Sequence, residues 1–101
     1  MKIIQEKDFD KEVKEGLVLV DFFATWCGPC RMMSMILEEI EEEVKDKIKI
    51  IKVDVDDNEE LARRFNIMSI PTLILFNDGK LYEKHVGIWQ KDDLIELIQS
   101  F

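Results

Sequence analysis

Leu17-Val18-Leu19-Val20-Asp21-Phe22-Phe23-Ala24 is a nearly continuous apolar run broken by one charge, the pattern of a central strand covered on both faces. Downstream of Pro29, the apolar residues Met33, Ile36, Leu37, Ile40 and Val44 recur at helical spacing, with Glu38, Glu39, Glu41, Glu42 and Glu43 on the other side. This predicts a long amphipathic helix with a wet acidic face. Ile48–Val55 reads as a second β-branched strand, and Asn58–Phe65 as a short helix capped by Asn58. Thr72–Phe76 and Leu81–Val86, joined by Asn77-Asp78-Gly79-Lys80, predict an antiparallel hairpin ended by Gly87. The tail sets Leu94, Leu97, Ile98 and Phe101 on one face of a final helix with Gln90 as a poor cap. A strand at Lys2–Gln5 and a short helix carrying Phe9 and Val13 complete the inventory. The sum is an α/β fold, a mixed sheet of about five strands with helices on both faces.

The chain has 101 residues, enough to bury one core as one domain spanning 1–101. Its 47% hydrophobic and 36% charged residues are those of an ordinary globule, without a linker-like stretch. A net charge of -8 and the absence of clustered Lys and Arg argue against nucleic acid and acidic membrane surfaces as partners. No apolar run approaches the roughly 20 residues that span a bilayer. The first residues lack the apolar core and cleavage site of a signal peptide, so the expected location is the cytoplasm. In that reducing compartment two cysteines three apart suggest redox or metal chemistry rather than a structural staple.

A strand ending at Ala24 and a helix starting near Pro29 put Cys27 at a helix N-terminus and Cys30 one turn behind it. Free backbone N–H groups and the positive dipole end favour a thiolate at Cys27, the species that attacks disulfides. Cys27 is therefore the expected nucleophile and Cys30 the resolving thiol. Pro29 fits the first turn, where its missing N–H is not needed, and Gly28 lets a partner approach closely. Asp21, inside an apolar strand, should carry a raised pKa or a cationic neighbour. Lys52 in the adjacent strand is the expected neighbour. Asp21 is the candidate proton acceptor for Cys30 during the second half of an exchange reaction.

Val20-Asp21-Phe22-Phe23-Ala24-Thr25-Trp26-Cys27-Gly28-Pro29-Cys30-Arg31 resembles the active-site segment of the thioredoxin family. The likeness runs along the chain. Lys52-Val53-Asp54-Val55-Asp56 resembles the family's strand with a buried lysine, Ser69-Ile70-Pro71-Thr72 its cis-proline loop, and Gly79 and Gly87 stand at its glycine positions. The resemblance implies a thioredoxin fold, a five-stranded mixed sheet with four helices. It also implies a cis Ile70–Pro71 bond opposite the dithiol, with Ile70's backbone pairing with the substrate chain. The implied activity is protein-disulfide reduction and electron transport, with no bound cofactor. On the same resemblance, thioredoxin reductase would supply the electrons and disulfide-containing proteins would be the substrates, and the chain is expected to be a monomer. Trp26, Gly28, Pro29, Ile70 and Gly87 would form a small apolar platform for extended segments. Phe23, Arg31 and Met35 depart from the family's usual tryptophan, lysine and kink-forming proline, so the long helix should run straighter.

Other readings are open at this level. A Cys-x-x-Cys pair is half a zinc site, but tetrahedral zinc wants four ligands and His85 is the only further Cys or His, so no metal is expected. Asp54–Asn58 imitates the opening of a calcium loop, yet Glu59 stands where glycine is required. A non-catalytic binding module, or a disulfide oxidase or isomerase, would use the same segment differently.

Overall fold

A computed structural model describes residues 1–101. The strands are β1 (Lys2–Ile3), β2 (Leu17–Phe23), β3 (Lys49–Asp54), β4 (Thr72–Asn77) and β5 (Lys80–Val86). The helices are α1 (Phe9–Val13), preceded by a 3-10 turn at Glu6–Asp8, then α2 (Gly28–Val44), α3 (Glu59–Arg64) and α4 (Lys91–Gln99). The sheet order is β1-β3-β2-β4-β5. β1, β3 and β2 run parallel, whereas β4 is antiparallel to β2 and β5 to β4. The strands begin or end within about two residues of the sequence pattern, the scatter expected where pairing rather than composition ends a strand.

Every residue of β2 is buried, as its unbroken apolar run requires. Alternation then divides the core in two. Leu17 and Leu19 pack with Met33, Leu37, Ile40 and Val44 of α2 and with Leu94 and Ile98 of α4. Val18, Val20 and Phe22 point to the opposite face, with Phe9, Val13, Leu61 and Phe76. Each fully buried Leu, Ile or Phe contributes roughly 1.5–3 kcal/mol against the exposed chain. Two layers around one sheet thus hold β2 rigidly at the centre, with the dithiol hung from its end. Asp21 shares the face of Leu17 and Leu19, the side covered by α2.

The hairpin turn is the expected one: Asp78 and Gly79 both have positive φ, 50° and 83°, the pairing that a two-residue type I′ loop needs. A bulge between Leu75 and Phe76 shifts the register of β5 and leaves Tyr82 without a partner across the ladder.

Two sequence expectations change. Phe101 does not join Leu94 and Ile98 on the core face of α4, because the helix ends at Gln99. Its ring instead meets Tyr82 edge-on at 4.9 Å outside the core. Asn58 occupies the N-cap position of α3 but makes no side-chain cap. Its buried amide accepts from the Glu6 N–H at 2.7 Å and donates to the Asp54 carbonyl at 2.9 Å. The capping acceptor comes from elsewhere: Glu6 Oε1 receives the Leu61 N–H at 3.2 Å. Both asparagine groups are already committed to tying the Glu6 turn to the end of β3, so the free N–H of the helix takes the carboxylate that this tie brings within reach.

Candidate active site

The chain leaves β2 at Phe23 and enters α2 at Gly28, with Cys27 as the N-cap residue in extended conformation. Its sulfur accepts the Cys30 N–H at 3.2 Å, as a capping oxygen would. Pro29 sits in the first turn. Cys27 and Cys30 are joined in a disulfide with Cα atoms 5.2 Å apart, and both are buried. With Phe23 and Ala24 they form a small apolar cluster of their own. The rim is open: Trp26 is 68% exposed, and Gly28 and Pro29 are exposed. A Cβ built on Gly28 meets nothing within 4 Å, so the surface above the pair is free of protein.

Residues distant in sequence close the other side. The Ile70–Pro71 bond is cis, and the Ile70 carbonyl oxygen lies 3.8 Å from Cys27 Sγ. Gly87, at φ 91°, donates its N–H to the Pro71 carbonyl at 2.8 Å and so ties the end of the hairpin to this loop. Thr72 fixes the loop from within through its hydroxyl, which donates to the Ser69 carbonyl at 2.6 Å. Trp26 is anchored by its indole N–H, which donates to Asp56 Oδ2 at 2.8 Å. Nothing in the sequence pattern singled out Asp56 for this. Its signal was only its position just after β3.

Asp21 and Lys52 are register partners across β2 and β3, yet the expected contact does not form. Neither carboxylate oxygen has a hydrogen-bond partner, and both are wholly buried. The Lys52 ammonium instead donates to Ser34 Oγ and lies over the Phe23 ring, 4.5 Å from its centroid. Burial therefore pushes the Asp21 carboxyl up to about 7, with the positive charge of Lys52 pulling weakly the other way. A solvent-open cavity of about 370 Å³, lined by Cys30, Ser34, Lys52 and Phe23 among others, lies beside the pair. Ser34 is the second residue that sequence reading missed. Its one cue was a polar side chain four positions beyond Cys30 on an otherwise apolar helix face.

The other candidates take up plain roles. His85 is half-buried, its Nε2 3.1 Å from the Ile88 carbonyl and its ring stacked on Trp89 at 4.6 Å. Met33 is core, whereas Met32 and Met35 are exposed on α2. The helix is a single element from Gly28 to Val44 despite its length. No group of three or more His, Cys, Asp and Glu side chains is arranged to hold a metal ion. No helix is long and apolar enough to cross a membrane.

The thioredoxin family profile matches residues 1–100. The chain belongs to the thioredoxin family. It is 48% identical to the thioredoxin of Bacillus subtilis over 102 aligned positions, covering 99% of this chain and 98% of that one. It is also 48% identical to the thioredoxin of Listeria monocytogenes, covering 100% and 98%. Among solved structures, Plasmodium falciparum thioredoxin superposes with a TM-score of 0.89 at 35% identity, covering 100% and 99% of the two chains. A thioredoxin variant from Halobacterium salinarum gives 0.86 at 35% identity, covering 99% and 90%. The protein is thus a disulfide oxidoreductase that works by thiol–disulfide exchange through the Cys27–Cys30 pair. Thioredoxins carry no cofactor of their own.

Proposed function

We propose that the reduced site works as a two-step protein-disulfide reductase with the following division of labour. Cys27 attacks as the thiolate, breaking the substrate S–S bond, forming a Cys27–substrate disulfide and releasing the first substrate sulfur as a thiolate. Asp21 takes the proton of Cys30 as Cys30 attacks the Cys27 sulfur. The Cys27–Cys30 disulfide forms and the second substrate sulfur leaves as a thiolate, so that two electrons have passed to the substrate; the Cys30 proton stays on Asp21 until it is given up, and the two released thiolates take their protons from that pool and from solvent. Lys52 tunes Asp21 through its charge rather than by contact. Trp26, Gly28, Pro29, Ile70, Pro71 and Gly87 shape the site and receive an extended substrate segment. The observation that carries this reading is the capping geometry: the Cys27 sulfur accepts the Cys30 N–H at the start of a helix of 17 residues, where negative charge on sulfur is favoured.

A thioredoxin reductase returns the disulfide to the dithiol, and disulfide-containing proteins are the substrates. The chain acts in the cytoplasm, where a dithiol is kept reduced. It acts as a single domain and a monomer, since both sheet faces are covered by its own helices.

The test is covalent trapping. Cys30→Ser should accumulate mixed disulfides with an oxidised protein substrate, mapped by mass spectrometry to Cys27, and Cys27→Ser should accumulate none. Absence of adducts from Cys30→Ser would favour a binding module instead.

A further inference from the structure

The Lys52 side chain starts from a position beside Asp21, and neighbouring strands lie about 4.8 Å apart, so a turn of its flexible stem would bring ammonium and carboxylate together. It points elsewhere. Two groups hold it: the Ser34 hydroxyl, whose oxygen accepts a hydrogen bond from the ammonium, and the Phe23 ring beneath it. Ser34 is half-buried on α2, four residues beyond Cys30, and lines the same cavity as Cys30 and Lys52. The groups able to act on Asp21 are few. β3 contributes Lys52, and α2 contributes Cys30 in its disulfide, with Arg31 and Glu38 at the cavity wall. β4 presents only Leu73, and β5 places His85 behind it on the same face. Lys52 is therefore the only cation that the sheet register sets directly beside Asp21.

We infer that Ser34 is a positioning residue for the exchange reaction: its hydroxyl holds the Lys52 ammonium off Asp21 and leaves the carboxyl free to gain and lose a proton. A paired carboxylate would be held in its charged form and would be a poor proton acceptor. The consequence for turnover rests on the role proposed for Asp21. The consequence for Asp21 itself does not, and the two are read separately.

The experiment is a carbon-13 NMR titration of the Asp21 carboxyl in the oxidised protein. Ser34→Ala, a change that favours the helix, should release Lys52 to the carboxylate and lower the Asp21 midpoint by about one unit, tenfold in acidity. Ser34→Thr keeps a hydroxyl and should keep the midpoint. In a Lys52→Met background, Ser34→Ala should produce no shift. An unchanged midpoint in Ser34→Ala overturns the inference, and so does an equal shift in the Lys52→Met background, since Ser34 would then act by another route. The pH profile of mixed-disulfide release, measured on the same variants, should move with the midpoint. If the midpoint moves and that profile does not, Ser34 positions Lys52 as inferred and the proton-acceptor role of Asp21 is the part that fails.

Discussion

Asp21 and Lys52 face one another across β2 and β3, but the ammonium is bonded to Ser34 and the carboxylate to nothing. An ionisable group is thus kept in the core without an ion pair, beside the cavity that Cys30 lines. Buried unpaired carboxyls cost stability when charged, and such groups concentrate where chemistry needs them.

That cost has a sign and a pH window. The folded-state value is raised from 3.8 to about 7, so the folded state binds the proton more tightly than the unfolded chain. The Asp21 contribution to stability should be greatest below about pH 4, fall as pH rises to about 7, and level off above it. Asp21→Asn should remove this dependence and stabilise the oxidised protein at pH 8 by up to about 4 kcal/mol, with little effect at pH 3. Urea denaturation of both proteins at the two pH values checks it. The same variant should slow release of the second substrate sulfur in single-turnover measurements.

Cys27 caps α2 while Cys30 lies inside its first turn. In the reduced protein at pH 7, iodoacetamide should therefore label Cys27 at least about tenfold faster than Cys30, through the larger thiolate fraction favoured at the helix N-terminus. Peptide mapping after partial alkylation gives the ratio, and equal labelling would remove the basis for the assigned roles.

Asp56 fixes the exposed indole of Trp26, while Trp89 is buried. Asp56→Ala should add fast nanosecond motion to the tryptophan anisotropy. It should lower the reduction rate of a protein disulfide by about two- to tenfold, in keeping with loss of one hydrogen bond of about 0.5–1.5 kcal/mol. Reduction of a small aromatic disulfide should change little, because it does not need the platform.

Asn58 and Glu6 join the first turn to the start of α3 from opposite directions. Asn58→Ala leaves the Glu6 N–H without its partner and the Asp54 carbonyl with only the Asp57 N–H, and should cost about 1–3 kcal/mol. Glu6→Ala should cost about 0.5–1 kcal/mol through loss of a helix-end acceptor. Chemical denaturation should detect both, and neither should alter the reduction potential.

Sequence patterning foretold the features that local periodicity determines. The all-buried β2, the inner stripe of α2, the Asp78-Gly79 turn and the closeness of Cys27 to Cys30 all follow from spacing within one element or one turn. Ile70 was a different case: 43 residues separate it from Cys27, and only the family resemblance brought the two together. What the pattern could not supply is which of several nearby partners a polar side chain takes. Lys52 had Asp21 across the ladder and took Ser34. Asn58 had the helix end and took Glu6 and Asp54. Phe101 continued the spacing of Leu94 and Ile98, but the helix stopped short of it. The choices of Ser34 by Lys52 and of Glu6 by Asn58 are decided by packing between segments far apart in the chain.

Whether the Cys27–Cys30 pair serves as a general disulfide reductant is decided by its reduction potential. Equilibration against known glutathione ratios, thiol trapping and mass analysis would give it. A general reductant should give a value near the roughly −270 mV characteristic of thioredoxins, a family property rather than a consequence of this geometry. A value of about −180 to −120 mV would contradict it and make the protein an isomerase or oxidase on the same fold.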